Sequence, residues 1–458
     1  MRRFPIVLAA LICTLPAWGQ TRDENVTRCQ GDDPDASIVA CTALIQSGKE
    51  TPSDISIFYN NRAAAYVKKG LFDQAFSDAN AAIAINPNSA EPYINRGDVY
   101  SHRGLYDSAI SDETRAIALN PNLAEAYVDR GNAYSYKGLY EQDIADETTA
   151  IRLNPKMAVA YLNRGSAYSE TGRYSQAIAD LDKAIALKPD YAMAYNDRAW
   201  AYHLNGQDAK GLPDANQAVA LNPKNGNSVE TRAEIYERLG QREKAIADYS
   251  LAIALQPDFP EAYSNRGALY DLNGVHLQGE QGLDAAEPLY DRAVEDETKA
   301  IALRSNYAEA YDRRGEVLHH RGYETQAIGD YTQAIALKAD YAGAYADRGD
   351  AYAGIREYDR GNKDAFEHAI ADFTRAIALD PPNADLFERR GRVYDIAGLP
   401  DQAIADYSRA IALRPMFMEA YMWRSEAYGL KGDAAREKAD SAKFLKLYNA
   451  QKARPPGD

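Results

Sequence analysis

From Ser56 almost to the last residue, small, aromatic and aliphatic side chains recur with a period of 34. The stretch Ala158 to Tyr191, AVAYLNRGSAYSETGRYSQAIADLDKAIALKPDY, carries the pattern. Numbered 1 to 34 from Ala158, it places Tyr161 at position 4, Gly165 at 8, Tyr168 at 11, Ala177 at 20, Leu181 at 24 and Ala184 at 27. Positions 4, 8 and 11 share one face of a first helix, and 20, 24, 27 and 28 one face of a second. Small residues at 8, 20 and 27 allow a close approach, and tyrosine rings fill the space beside them. Gly172 interrupts the chain between the helices and Pro189 stops the second. No single pair of this kind buries both its faces, so stacking on neighbours is obligatory. The pattern predicts an all-α chain of stacked helix–turn–helix units.

The period, the small residues at 8, 20 and 27 and the proline at 32 resemble the tetratricopeptide repeat, with Tyr where that family has Trp and Arg where it usually has Leu. The resemblance covers roughly nine tenths of the chain and implies a right-handed superhelical solenoid. Eleven units span 56–447, beginning at Ser56, Ala90, Ala124, Ala158, Ala192, Gly226, Pro260, Ala308, Ala342, Ala384 and Met418. The seventh carries an insertion near 275–288, expected between its helices, where Asp284 and Glu287 have capping spacing. The ninth carries another near 356–366. In the fifth, Gly211 and Pro213 predict a second helix that starts late, near Pro213, and a weak joint there. The eleventh has Glu437 and Lys438 where Ala and Ile are usual, as an end unit needs.

The two ends read differently. Residues 1–19 have a secretory signal's form: Arg2 and Arg3, apolar Ile6 to Leu15, and Ala17-Trp18-Gly19 before a mature start at Gln20. That apolar run is too short to span a bilayer, and no integral membrane segment is expected. Residues 20–55 form a cap. Thr21 to Asp35 reads as irregular, and Ile38 to Ile45 matches the second half of a repeat. Cys29 and Cys41, an even pair in an exported chain, predict a disulfide rather than a metal site. Residues 448–458 read as a disordered tail. With 52 basic and 67 acidic residues the net charge is −15. Phosphate contact dominates nucleic-acid binding, so such a chain points away from that class and towards basic or apolar partners.

Candidate chemistry is sparse. Arg stands at position 7 and Asp at position 23 of all eleven units, from Arg62 and Asp78 to Arg424 and Asp440. The planar guanidinium fork suits a carboxylate, so a ladder of partly buried ion pairs is expected. Tyrosines at positions 4 and 11 read as core. Glu316, His319 and His320 lack a full metal-ligand set, and no catalytic motif occurs, so neither metal, cofactor nor enzyme activity is expected. The resemblance implies a concave groove lined through positions 2, 5, 9, 12 and 13. In the first five units these include Tyr136, Leu162, Met193, Trp200, His203 and Leu204. The last six supply fourteen acids, Glu234 and Glu316 among them, against Arg238 and Arg392. The expectation is a non-catalytic scaffold, periplasmic or secreted, holding a protein or peptide segment with apolar and basic side chains. The alternatives are a structural envelope protein without a groove ligand, and last an enzyme with an unrecognised site.

Overall fold

The computed structural model describes residues 21–358 and 363–452, which contain helices and no strands. The chain divides into two compact units at Pro223. The first holds α1 (Arg22–Cys29), α2 (Pro34–Gln46), α3 (Pro52–Lys68), α4 (Phe72–Ile85), α5 (Glu91–His102), α6 (Tyr106–Leu119), α7 (Ala124–Tyr136), α8 (Tyr140–Leu153), α9 (Ala158–Glu170), α10 (Tyr174–Leu187), α11 (Ala192–Leu204) and α12 (Asp208–Leu221). The second holds α13 (Gly226–Arg238), α14 (Arg242–Leu255), α15 (Pro260–Gln281), α16 (Leu283–Leu303), α17 (Ala308–His320), α18 (Glu324–Leu337), α19 (Ala342–Tyr358), α20 (Lys363–Leu379), α21 (Ala384–Ile396), α22 (Pro400–Leu413), α23 (Met418–Leu430) and α24 (Ala434–Lys452). From α3 onwards the odd-numbered helices are the first (A) and the even-numbered the second (B) of each repeat. Within each unit the hairpins stack in chain order, as the period requires. The signal expected at 1–19, with its cleavage site, lies outside the described residues.

Local chemistry explains each hairpin. Gly172, at φ +74°, takes the left-handed conformation that ends α9 and turns the chain into α10. The A and B helices then touch through small residues. Ala177, Leu181 and Ala184 are buried against Leu162, Ala194 and Ala201, which joins one repeat to the next. At Gly315 a Cβ would sit 2.7 Å from the Tyr331 ring, so the glycine makes room for the large residue at position 24.

The arginine–aspartate ladder is present in all eleven repeats, and each pair is internal to its repeat. Nε donates to Oδ2 at 2.6–2.8 Å and Nη2 to Oδ1 at 2.6–2.9 Å. The third nitrogen reaches backwards. In the first unit Nη1 of Arg62, Arg96, Arg130, Arg164 and Arg198 donates to Thr42, Asn80, Thr114, Thr148 and Asp182, position 25 of the preceding repeat. In the second, Arg266, Arg314, Arg348, Arg390 and Arg424 reach Ser250, Thr298, Thr332, Thr374 and Ser408 in the same way. One guanidinium thus ties A to B and repeat to repeat. Apart from buried Tyr93, the tyrosines at positions 4 and 11 are half-buried at the edge of the core. Those of α9, Tyr161 and Tyr168, lie 5.9 Å on either side of the Arg164 guanidinium, a cation–π sandwich.

Several expectations need correction. The supposedly irregular start is α1, opened by a capping box in which Thr21 and Glu24 exchange hydrogen bonds. The Cys29–Cys41 disulfide pins α1 onto α2. Helix α12 starts on time at Asp208 and keeps Pro213 inside. Gly211 is what α12 needs at that point, since a Cβ there would lie 2.9 Å from the Ala199 carbonyl oxygen. The insertion of the seventh repeat lengthens both helices, α15 and α16, which meet at Gly282 (φ +89°), so Asp284 lies inside α16. Of the ninth repeat's insertion, 359–362 lie outside the described residues, and the flanking parts extend α19 and α20. Residues 448–452 continue α24 rather than beginning a disordered tail.

Candidate binding groove

On an A helix, successive residues turn by about 100°. Positions 5, 8 and 12 therefore fall on one stripe and 2, 6, 9 and 13 on another. The first stripe packs inward. Leu162, at position 5, is 3% exposed inside the core and offers nothing to a ligand, contrary to expectation. Asp312 and Glu388, also at position 5, are buried likewise. The second stripe is the free face, and its position 6 was missed. That position is polar in ten of eleven repeats, the signal that could have found it.

In the first unit a polar ladder runs between repeats along this face. Asn95 Nδ2 donates to Asn60 Oδ1 at 2.8 Å, Asn163 Nδ2 to Asn132 Oδ1 at 2.9 Å, and Ser166 Oγ to Asp197 Oδ2 at 2.6 Å. Apolar surface accompanies it. Tyr136, the last residue of α7, is 71% exposed; on α11, Met193 near its start is 54% exposed and Leu204 at its end is exposed too. The Tyr136 ring stacks on Tyr106 at 5.0 Å, nearly parallel. Trp200 is half-buried and stacks on His203, with ring centroids 5.0 Å apart. His203 in turn lies 2.6 Å from Asp208, which fixes the end of α11 to the start of α12. The structure thus groups Trp200 with His203 and leaves Leu162 out.

Beneath this face lie carboxylates in unusual places. Position 24 is a core position, filled by Leu181 in the fourth repeat, yet Glu113 and Glu147 occupy it in the second and third. Burial pushes both well above the ordinary carboxylate range. Asp129, Asp98 and Asp112 push Glu113 further, while the hydrogen bond from Asn163 opposes the rise at Glu147. Burial also raises Asp98 to about 6, against the pull of His102, and raises Asp129 well above its usual value. Among the described residues, no lysine or arginine forms an ion pair with Asp98, Glu113, Asp129, Asp143 or Glu147.

The second unit is different. Three of its four acids at position 2 meet a base at position 31 of their own repeat: Glu261 with Arg304, Glu309 with Lys338, Asp385 with Arg414. At position 6, Arg313 donates to Ser264 and Asn265 at 2.9 and 3.0 Å, and Arg389 pairs with Asp347 and Asp350. Four of the fourteen acids expected along this half, Glu261, Glu309, Asp350 and Asp385, thus pair with an arginine or lysine of the same unit. Glu234 accepts from Asn265 Nδ2 at 3.3 Å. Glu316 and Asp312 are both raised to about 7, by burial and then by Asp347. His319 lies 2.7 Å from Glu324 and His320 3.0 Å from Asp271. Among the described residues no group of three or more His, Cys, Asp or Glu side chains is placed to hold a metal ion. No helix is long and apolar enough to cross a membrane.

Comparison with known proteins agrees with this architecture. Tetratricopeptide repeat family models match residues 57–89, 79–111, 165–206, 233–274, 353–415 and 389–457, together more than half of the chain. Sperm-associated antigen 1 of Homo sapiens is 39% identical over 56 residues, 12% of this chain and only 6% of that protein. Among solved structures, a monomeric mutant of IFIT1 with Gppp-AAAA superposes with a TM-score of 0.50 at 15% identity, over 91% of this chain and 95% of that one. MamA protein is 27% identical over 37% of this chain and 92% of its own, with a TM-score of 0.33. At 15% identity the IFIT1 likeness concerns the fold alone. The family models, the 34-residue hairpins and their stacking lead to one conclusion: the chain belongs to the tetratricopeptide repeat family.

Proposed function

We propose that this protein is an exported, non-catalytic scaffold that holds a segment of a protein partner against the A helices of its first unit. Protein–protein interaction is what tetratricopeptide repeats provide, and that much follows from the family. The finer reading rests chiefly on one observation: exposed Tyr136, Met193 and Leu204 lie on the same stripe of the A helices as Asp98 and Asp129, with which no lysine or arginine forms an ion pair among the described residues. Contiguous apolar surface tends to mark a binding site, and unpaired acids favour basic side chains. The Cys29–Cys41 disulfide supports an oxidising compartment outside the cytosol. The signal-like residues 1–19 support the same location.

The test is cross-linking in intact cells, followed by binding measurements on Trp200→Ala and Tyr136→Ala. Loss of about 2 kcal/mol or more of partner affinity at either position, with melting unchanged, is expected of an aromatic anchor. Unchanged affinity with a lowered melting point at Trp200 would make that ring packing. Constant co-purification with an envelope complex, indifferent to both substitutions, would instead favour a structural role. Export predicts a mature N-terminus at Gln20 and no free thiol by mass spectrometry.

A further inference from the structure

Glutamate occupies the core position 24 in three repeats, and each time the residue sixteen further on decides its fate. For Glu147 that residue is Asn163, whose Nδ2 donates to Oε1 at 2.8 Å. For Glu297 it is Arg313, whose guanidinium favours the charged carboxylate, while Ser264 Oγ donates to Oε2 at 2.8 Å. For Glu113 it is Asp129, another acid, and the one cation that eases it, Arg130, is already clasped to Asp146. Glu113 is 1% exposed and neither of its oxygens finds a hydrogen-bond partner among the described residues. Its carboxylate reaches across to Gly97, where a Cβ would lie 2.1 Å from Oε1, directly next to Asp98 in the chain. Three carboxylates therefore converge where the other two glutamates have a donor.

An open cleft of about 460 Å³ between α5 and α7 is walled by Asp98, His102, Asp129 and the stacked pair Tyr106 and Tyr136, while Glu113 stays buried behind the two aspartates whose charges act on it. We propose that this cleft takes one guanidinium, the arginine side chain of a partner segment, which pairs with Asp98 and Asp129 and so relieves the buried Glu113 as Arg313 relieves Glu297. The choice of arginine follows from that internal precedent and from the ring wall. Guanidinium planes throughout this protein lie over tyrosine rings, as Arg96 does over Tyr93 at 5.5 Å, and arginine combines stacking with forked donation to carboxylates. The volume exceeds what a guanidinium and its propyl stem fill. Burial and mutual repulsion hold Glu113 and Asp129 far above ordinary carboxylates, the condition that an entering cation relieves.

The inference rests on the proposed segment-binding role, yet the two can fail separately. The probe is the blocked peptide acetyl-Gly-Gly-Arg-Gly-Gly-amide, titrated calorimetrically into the full chain, beside the same peptide with citrulline or lysine and beside spermidine. Saturable binding of the arginine peptide is expected, at least tenfold tighter than citrulline, lysine or spermidine. Asp129→Asn recreates the Asn163 arrangement and should fold; it should weaken the arginine peptide at least tenfold while raising the melting temperature. Equal binding of the citrulline peptide, equal binding of the amines, or an Asp129→Asn variant that binds as before would each overturn the assignment. A cellular partner lost on Tyr136→Ala but retained by Asp129→Asn would leave the scaffold reading standing and the guanidinium pocket refuted. Arginine-specific peptide binding without any cellular partner would do the reverse.

Discussion

Asp180→Ala tests the clasp that recurs through the array. In the native repeat Arg164 donates Nε to Oδ2 at 2.7 Å and Nη2 to Oδ1 at 2.9 Å, with the two side chains 16% and 12% exposed. Truncating the aspartate leaves a guanidinium still held by Thr148 and by two tyrosine rings, so it cannot swing out to water freely. Two hydrogen bonds to a charged group are each worth about 1.5–3 kcal/mol, and breaking a buried pair from one side costs about 3–5 kcal/mol. The residual exposure argues for the lower end, about 3 kcal/mol. Because stability in stacked repeats is largely local, the readout is hydrogen exchange of the α9 and α10 amides, with denaturant melting alongside. Those amides should lose about 3 kcal/mol of protection while α3 and α4 change little. The control is Asp73→Ala, which breaks the exposed Arg103–Asp73 pair and should cost less than about 1 kcal/mol. A loss below about 1 kcal/mol at Asp180 would refute the view that the ladder carries stability.

Thr148→Val removes the backward hydrogen bond alone and should cost about 1–2 kcal/mol; in a double-mutant cycle it should couple to Arg164→Met, and additivity would show the third nitrogen to be idle. Reducing Cys29–Cys41, which closes a short loop, should lower the stability of the α1–α2 cap by about 2–3 kcal/mol, visible as faster exchange in α1 and α2. In the second unit, Asp312 and Glu316 titrate near 7 when folded, against ordinary values near 4. The folded state then binds their protons more tightly, so their contribution is fully present below about pH 4 and is lost as the pH rises through about 7. Wild type should lose stability between pH 5 and pH 8 relative to Glu316→Gln; parallel melting curves over that range would contradict the shift.

The hairpins were legible because the period repeats the same physics eleven times: glycine at the turn, small residues at the contacts, proline after the second helix. The arginine–aspartate pairs were legible as pairs, since opposite charges fixed in every unit have little else to meet. Their geometry was not. Positions 7 and 23 come together only because the two helices run antiparallel, and the acceptor at position 25 varies among Thr, Ser, Asn and Asp, which hides it. The groove is hard to place because positions 5 and 9 lie only about 40° apart around the helix. Position 5 was grouped with 9, so Leu162 was expected outside and Asp129, Arg313 and Arg389 were overlooked. The late start expected for α12 failed because Gly211 was read as a breaker, when the close Ala199 carbonyl requires it. The acidity expected of the last six repeats is reduced at Glu261, Glu309 and Asp385, because their bases at position 31 lie outside any groove position and meet them from the side.

Within each unit the backward reach of the arginines gives neighbouring junctions a common contact. Thr114 and Thr148 present the same hydroxyl to Arg130 and Arg164. Excising residues 124–157 would bring Thr114 to Arg164 and restore the contact unaltered; inserting a further copy would do the same. Such a chain can gain or lose whole modules by unequal recombination without inventing a new joint. Lineages could then lengthen or shorten the surface they display in steps of 34 residues, while the exposed residues at position 13 diverge freely. The conserved clasp would be the hinge of that evolution, and the exposed stripe its variable text.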